Sequence, residues 1–207
     1  MTEHYYTSKP SVKSETRLIE DKLRGRKFTF ATDAGVFSKG GIDFGSRLLI
    51  ETMEMGIDDK VLDIGCGYGP IGLSAAALAS KGQVVMLDIN ERAVELAREN
   101  AKRNSLSNVR VVQSNILEAV AQETFDCILT NPPIRTGKET VHRIFEEAYH
   151  HLNPGGSLWV VIQKKQGSPS AYAKLESLFG ECKEVTKDKG YRIFRSIRHE
   201  ENGEIRN

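Results

Sequence analysis

From residue 57 onward, short apolar runs alternate with segments of helical period. Val61-Leu62-Asp63-Ile64, Val84-Val85-Met86-Leu87, Val109-Arg110-Val111-Val112, Phe125-Asp126-Cys127-Ile128-Leu129 and Leu158-Trp159-Val160-Val161-Ile162 read as buried strands rich in β-branched residues. Between them, Asn90 can cap a helix running to about Asn104, with Val94, Ala97 and Ala101 as its apolar stripe and Glu99 and Arg103 at the favourable i, i+4 spacing. A second helix from about Glu139 buries Val141, Ile144, Phe145, Ala148 and Leu152, and Asn153-Pro154-Gly155-Gly156 stops it. Strand and helix alternating at these lengths predict an α/β chain with a doubly wound, mostly parallel sheet. The C-terminal runs Glu181 to Thr186 and Tyr191 to Arg198 are separated only by Lys187-Asp188-Lys189-Gly190. They predict a hairpin that adds an antiparallel pair at one edge. Before residue 57, Lys27 to Thr32 suits a short strand, Asp43 to Met55 a helix, and the first ~15 residues a loose arm. Residues 1–40 are therefore expected as an arm and small β segment packed on a single domain spanning 41–207, with fraying from Glu200.

Composition excludes several classes. With 39% hydrophobic and 28% charged residues among 207, the chain is of ordinary globular make-up. Its longest apolar stretches, Ala75 to Ala79 and Leu158 to Ile162, fall far short of the ~20 residues of a membrane span. The opening MTEHYYTSKP lacks an apolar signal segment, so a cytoplasmic protein is expected. The formal charge is only +1, and any polyanion must therefore be held by a local patch. Cys66, Cys127 and Cys182 are too few and too widely spaced for a disulfide framework and read as buried thiols. His142, His150 and His151 lack the spacing of a zinc motif, and no metal is expected.

Chemistry concentrates in two places. Asp63-Ile64-Gly65-Cys66-Gly67-Tyr68-Gly69-Pro70-Ile71-Gly72 ends the first strand and opens a helix whose first turn suits Pro70. Gly67, Gly69 and Gly72 satisfy the G-x-G-x-x-G pattern of dinucleotide sites, with Asp88 at the roughly 20-residue spacing of a ribose-binding acid. Asp63 and Gly65 extend the pattern to D-x-G-x-G-x-G. An acid there repels a pyrophosphate but suits an ammonium group. S-adenosyl-L-methionine has those needs: an amino acid moiety, a cationic sulfonium, a ribose diol and no phosphate.

The second place is Thr130-Asn131-Pro132-Pro133-Ile134. Two prolines cannot continue a ladder, so the chain leaves the sheet at the carboxyl edge where open α/β sheets bind ligands. The Asn131 side-chain oxygen and the Pro132 carbonyl form two fixed acceptors that suit a planar amino group.

With D-x-G-x-G-x-G, Asp88 and N-P-P in this order, residues 57 to 200 resemble class I S-adenosylmethionine-dependent methyltransferases, which have a Rossmann-like fold. Gly35-Val36-Phe37-Ser38, Asp43-Phe44-Gly45-Ser46 and Asn131-Pro132-Pro133-Ile134-Arg135 add a closer likeness. They look like the catalytic domain of the small-subunit ribosomal RNA guanine-N2 methyltransferases and their short archaeal and Gram-positive relatives.

The resemblance implies that Asp63, Gly65, Gly67 and Gly69 surround the methionine part of the cofactor. Asp88 with Ile89 would take the ribose, and Asn115 with Ile116 the adenine. Asn131 and Pro132 would hold the target amine, with Asn131 also bordering the cofactor. Phe37, Pro133, Ile134, Arg135 and Lys138 fall on the substrate side. Ile134 stands where such enzymes have a stacking aromatic, so stacking must come from elsewhere. RNA, as ribosomal RNA or a ribosomal subunit, is the implied partner. Its docking is expected from the N-terminal segment, where residues 1–30 hold seven Lys/Arg against four acids. Methylation of a protein glutamine or a small molecule, a nicotinamide oxidoreductase and a non-catalytic RNA-binding factor remain alternatives, and the oligomeric state is left open.

Overall fold

The computed structural model describes residues 15–34, 36 and 40–200. The hairpin β1 (Arg17–Leu23) and β2 (Arg26–Thr32) is followed by α1 (Phe44–Thr52). Then come β3 (Lys60–Ile64), α2 (Pro70–Leu78), β4 (Gln83–Asp88), α3 (Glu91–Arg103), β5 (Val109–Gln113) and β6 (Phe125–Thr130). The chain continues through α4 (Lys138–His151), β7 (Leu152–Gln163), α5 (Ser168–Phe179), β8 (Lys183–Asp188) and β9 (Tyr191–Ile197). Seven strands form one sheet in the order β5-β4-β3-β6-β7-β9-β8. The first five in this order pair in parallel, and β9 and β8 are antiparallel at one edge.

Alternation along the strands builds two cores. Val61, Met86, Leu129 and Trp159 face one side with helices α1 to α3, while Leu62, Val85, Ile128 and Val160 face the other with α4 and α5. Burial on both faces is what the near-continuous apolar strands require. The doubly wound sheet and its C-terminal hairpin thus stand as the pattern predicts.

Four elements differ from the sequence reading, one of them α5, which the sequence pattern does not predict. β1, which no apolar run announces, pairs with β2 along its whole length. The outer edge of β2 meets side chains in place of a third strand. Asn100 Oδ1 accepts from Ala31 N at 2.7 Å and its Nδ2 donates to Ala31 O at 2.9 Å, and Asn104 does the same for Thr29. Two asparagines one helical turn apart, one on α3 and one at its C-cap, therefore close an edge that would otherwise expose its backbone. β7 begins at Leu152 immediately after α4, so Asn153-Pro154-Gly155-Gly156 belongs to the strand as a bulge, with Gly155 at φ +81° and the register against β6 shifting between Phe125 and Cys127. Backbone bonds between Gly155, Gly156 and Arg198 hold it there. The predicted four-residue hairpin connection is a two-residue turn, Lys189-Gly190, with φ of +45° and +83°, the left-handed pair that a tight hairpin demands.

Candidate active site

The carboxyl ends of β3, β4, β5 and β6 open on a cavity of about 420 Å³, the size of a small-molecule site. Its floor is the glycine loop. Gly65 N and Cys66 N both donate to Leu87 O, at 2.8 and 2.9 Å, and Gly67 N donates to Asp88 Oδ2 at 2.8 Å. These bonds force Gly65 and Gly67 to φ of +73° and +56°, and a Cβ on either would meet nothing within 4 Å. The backbone is thus bare toward the cavity. Gly69 and Gly72 serve packing: a Cβ on Gly69 would lie 2.9 Å from Met86 Cε, and one on Gly72 2.6 Å from Met86 Cγ. The open glycines are those of D-x-G-x-G, and Gly69, the second glycine of the dinucleotide pattern, faces the core.

Asp88 ends β4 at the cavity wall. Asn90 N donates to its Oδ1 at 2.8 Å and Gly67 N to its Oδ2. Burial nevertheless raises its pKa above the usual carboxylate value, because those bonds offset only part of the lost hydration. A ligand diol donating to the remaining lone pairs would complete this solvation. Asn115 and Ile116, beyond β5, line the same cavity with Ile89. Asn115 Nδ2 is taken by Glu118 at 2.6 Å, which leaves its oxygen as acceptor. Ile116 adopts φ +50°, a strained value for a β-branched residue.

Opposite, Asn131, Pro132 and Pro133 leave the end of β6. Asn131 Nδ2 donates to Ser46 Oγ at 3.0 Å and to Asp43 Oδ1 at 3.4 Å, and Asp43 also caps α1 by accepting from Ser46 N. A carboxylate only accepts, so the amide nitrogen must face α1. The Asn131 oxygen and the Pro132 carbonyl accept no hydrogen bond among the described residues. Tyr191, the first residue of β9, lines this end of the cavity and packs on Phe44, with ring centroids 5.7 Å apart.

Of the residues singled out by sequence, three stand outside the cavity lining. Asp63 is fully buried beneath the loop, where its Oδ2 accepts from Gly72 N at 2.8 Å. Its Oδ1 has no partner among the described residues, and burial pushes the carboxyl up to about 7. Gly69 is turned into the core as the cap of α2. Lys138 opens α4 on the exposed side of the loop, whereas Ile134 and Arg135 stay at the cavity mouth. Phe37 lies outside the described residues. Asp43 and Ser46 acquire their role only here, and Tyr191 carried no sequence signal. Among the described residues there is no group of three or more metal-ligating side chains, and no helix is long and apolar enough to cross a membrane.

A doubly wound sheet with a bare glycine loop after its first parallel strand, an acid ending the second and an N-P-P exit from the fourth is the fold of the class I methyltransferases. The chain belongs to the methyltransferase small domain family, whose model matches residues 27–195. It is 54% identical over 198 residues to the uncharacterised protein YbxB of Bacillus subtilis, covering 95% of this chain and 98% of that one. It is 33% identical over 173 residues to ribosomal RNA small subunit methyltransferase C of Klebsiella pneumoniae, covering 82% of this chain. The chain spans only 49% of that relative's length. Among solved structures, the 16S rRNA N2 guanine methyltransferase (RsmC) of Thermus thermophilus in complex with AdoMet and guanosine superposes with a TM-score of 0.80 at 27% identity. The match covers 92% of this chain and 52% of that one.

Proposed function

We propose that this chain is an S-adenosyl-L-methionine-dependent N-methyltransferase acting on an exocyclic amine of a base in RNA, guanine N2 of small-subunit ribosomal RNA in particular. One observation carries the reading. Asp43 and Ser46 clamp the nitrogen of Asn131 and leave its oxygen free, and Asn131 and Pro132 line the same cavity as the bare glycine loop and Asp88. Gly65, Gly67, Asp88 and Ile89 would hold the methionine and ribose parts of the cofactor, and Asn115 and Ile116 the adenine. When bound, the cofactor supplies an electrophilic methyl group on a sulfonium. The chain's own residues position the amine. Asn131 and Pro132 each accept one N–H and turn the nitrogen lone pair toward the methyl group, a task of orientation at ~3–3.5 Å. The nitrogen sheds a proton to water once it becomes cationic, so no strong base is required. Tyr191 supplies the aromatic face that Ile134 lacks, and Arg135 meets the nucleotide at the mouth. The likeness to a structure solved with AdoMet and guanosine, and to small-subunit rRNA enzymes, supports this substrate.

The test is mass spectrometry of nucleosides after incubating the purified protein with S-adenosyl-L-methionine and 16S rRNA, free or in the small subunit. N2-methylguanosine is expected. Methyl transfer confined to a protein glutamine or a small amine, or none at all, overturns the reading.

A further inference from the structure

The basic residues expected to dock RNA are largely occupied in the described part of the N-terminal segment. Arg17 pairs with Glu15 and Lys27 with Glu20. Arg24 donates to the carbonyls of Ile50, Glu51 and Met53, which end α1. Arg26 donates to Asn104 O and lies over the Phe28 ring. Arg24 and Arg26 thus fasten the β1–β2 hairpin to the body of the protein, while Arg17 and Lys27 are paired within the N-terminal segment itself.

A different cluster adjoins the cavity. The short 3₁₀ turn Lys164–Gln166 follows β7, and Lys164 N donates to Gly190 O at 2.7 Å, which joins it to the β8–β9 turn. Between them lies a groove of about 280 Å³ lined by Lys164, Lys187, Asp188, Lys189, Tyr191 and Arg192. Tyr191 is shared with the active cavity, and Gln166 of the same turn also lines that cavity. Glu184 neutralises Arg192 and sits 3.7 Å from Lys187. Lys164, Lys165 and Lys189 are exposed and form no ion pair among the described residues; Lys189 Nζ rests 4.6 Å over the Phe44 ring. Lys164 and Lys189 thus bring two cations without an ion-pair partner to one lip of the cavity, with Lys165 next along the same turn and Asp188 as the one acid of the groove lining, in a chain of net charge +1.

We propose that this groove seats the phosphate backbone of the RNA next to the target nucleotide. The inference rests on the RNA reading above and assigns the docking surface for it. Charge complementarity favours a polyanion. Continuity with the cavity through Tyr191 favours one that presents a base there at the same time. The large exposed apolar side chains among the described residues, Leu18 and Ile57, are on β1 and before β3, so this lip offers no apolar anchor to a lipid surface. The groove is also preorganised, since Tyr191 pairs with Gln163 on one side and Asp188 on the other.

The test compares wild type with the triple variant Lys164→Ala, Lys165→Ala, Lys189→Ala. RNA affinity is measured across a salt series, alongside methylation of RNA and of free guanosine and affinity for S-adenosyl-L-methionine. Each lost phosphate contact should reduce the slope of log K against log salt by ~0.7–0.9, roughly 2–3 in all if each of the three lysines makes one contact. Turnover of RNA should fall while cofactor affinity and any methylation of guanosine stay at wild-type values. A variant that binds RNA with the wild-type slope and affinity overturns the groove but leaves the enzyme reading intact. A wild-type protein with no RNA affinity at low salt, or one that binds anionic vesicles in preference to RNA, overturns the RNA reading and the groove with it.

Discussion

Asn131 is held by Ser46 and Asp43, which stand 85 and 88 positions earlier in the chain. Removing its oxygen should damage orientation more than binding. Asn131→Ala is expected to lower kcat on the order of 100-fold, since misplacement of that kind costs about this much, with the cofactor Kd nearly unchanged. Asp43→Asn is the finer probe. Asn caps a helix as well as Asp does, so α1 should keep its stability. Its amide can donate as well as accept, which frees Asn131 to flip. A lower kcat at constant Tm and cofactor affinity is the expected result, and a lower Tm with normal kcat would leave Asp43 a cap alone. Asp63 yields a pH prediction. Burial raises its carboxyl to about 7 from 3.8, so between these values the folded chain holds a proton that the unfolded chain has released. Its contribution to stability therefore declines as pH rises through that window and stays low above it. Asp63→Asn, which keeps an acceptor for Gly72 N, should remove this dependence, seen as a smaller difference between urea midpoints at about pH 5 and about pH 8. Asp88 and Asn131 were legible because each ends a strand. The burial of Asp63 follows from its place inside a parallel strand covered on both faces, a point that motif spacing alone does not convey.

At the scale of elements, local signals were read well and long-range ones poorly. α3 runs from Glu91 to Arg103 between Asn90 and Asn104, because Asn90 Oδ1 accepts from Arg92 N and Ala93 N as a cap should. Asn100 and Asn104 looked like ordinary polar helix positions, and only the fold shows them closing the edge of β2. α5 shows a stripe of just Ala171, Leu175 and Phe179, too thin to announce a helix beside Gly167 and Pro169. The packing of α1 on β9 explains Gly45 within Asp43-Phe44-Gly45-Ser46. A Cβ there would lie 2.7 Å from the Tyr191 ring. Gly→Ala within a helix ordinarily stabilises by about 1 kcal/mol, but Gly45→Ala should displace Tyr191 instead. We expect a raised KM for the base-bearing substrate with cofactor affinity intact. Tyr191→Phe should retain activity, whereas Tyr191→Ala should lose ~1–3 kcal/mol of base stacking, measured as kcat/KM. Equal values for Phe and Ala would remove Tyr191 from the base site.

Across the whole molecule, the alternation of strand and helix was enough to specify a doubly wound sheet, since right-handed parallel crossovers leave few other arrangements. It did not specify that the hairpin edge would carry Tyr191 to the cavity, because β9 is placed there by pairing with β7, 28 positions away at Gln163 and Tyr191. Four parallel strands end at one cavity, and loops from each contribute to its wall. A ligand filling it would tie together segments that the unfolded chain separates widely. Binding should therefore stabilise the fold as a unit. At 100 times its Kd, S-adenosyl-L-methionine is expected to add ~2.7 kcal/mol, which for a chain of this size raises Tm by roughly 5–10 °C. Hydrogen exchange should slow together in the glycine loop, around Asp88 to Asn90 and around Ser114 to Ile116, while the β1–β2 hairpin remains as before. Asp88→Ala should abolish most of the thermal shift, and Asp63→Asn should preserve it, because only Asp88 faces the cavity. A nicotinamide dinucleotide should leave Tm unchanged, since Gly69 is turned into the core. A shift with the dinucleotide and none with S-adenosyl-L-methionine would reverse the assignment of the loop.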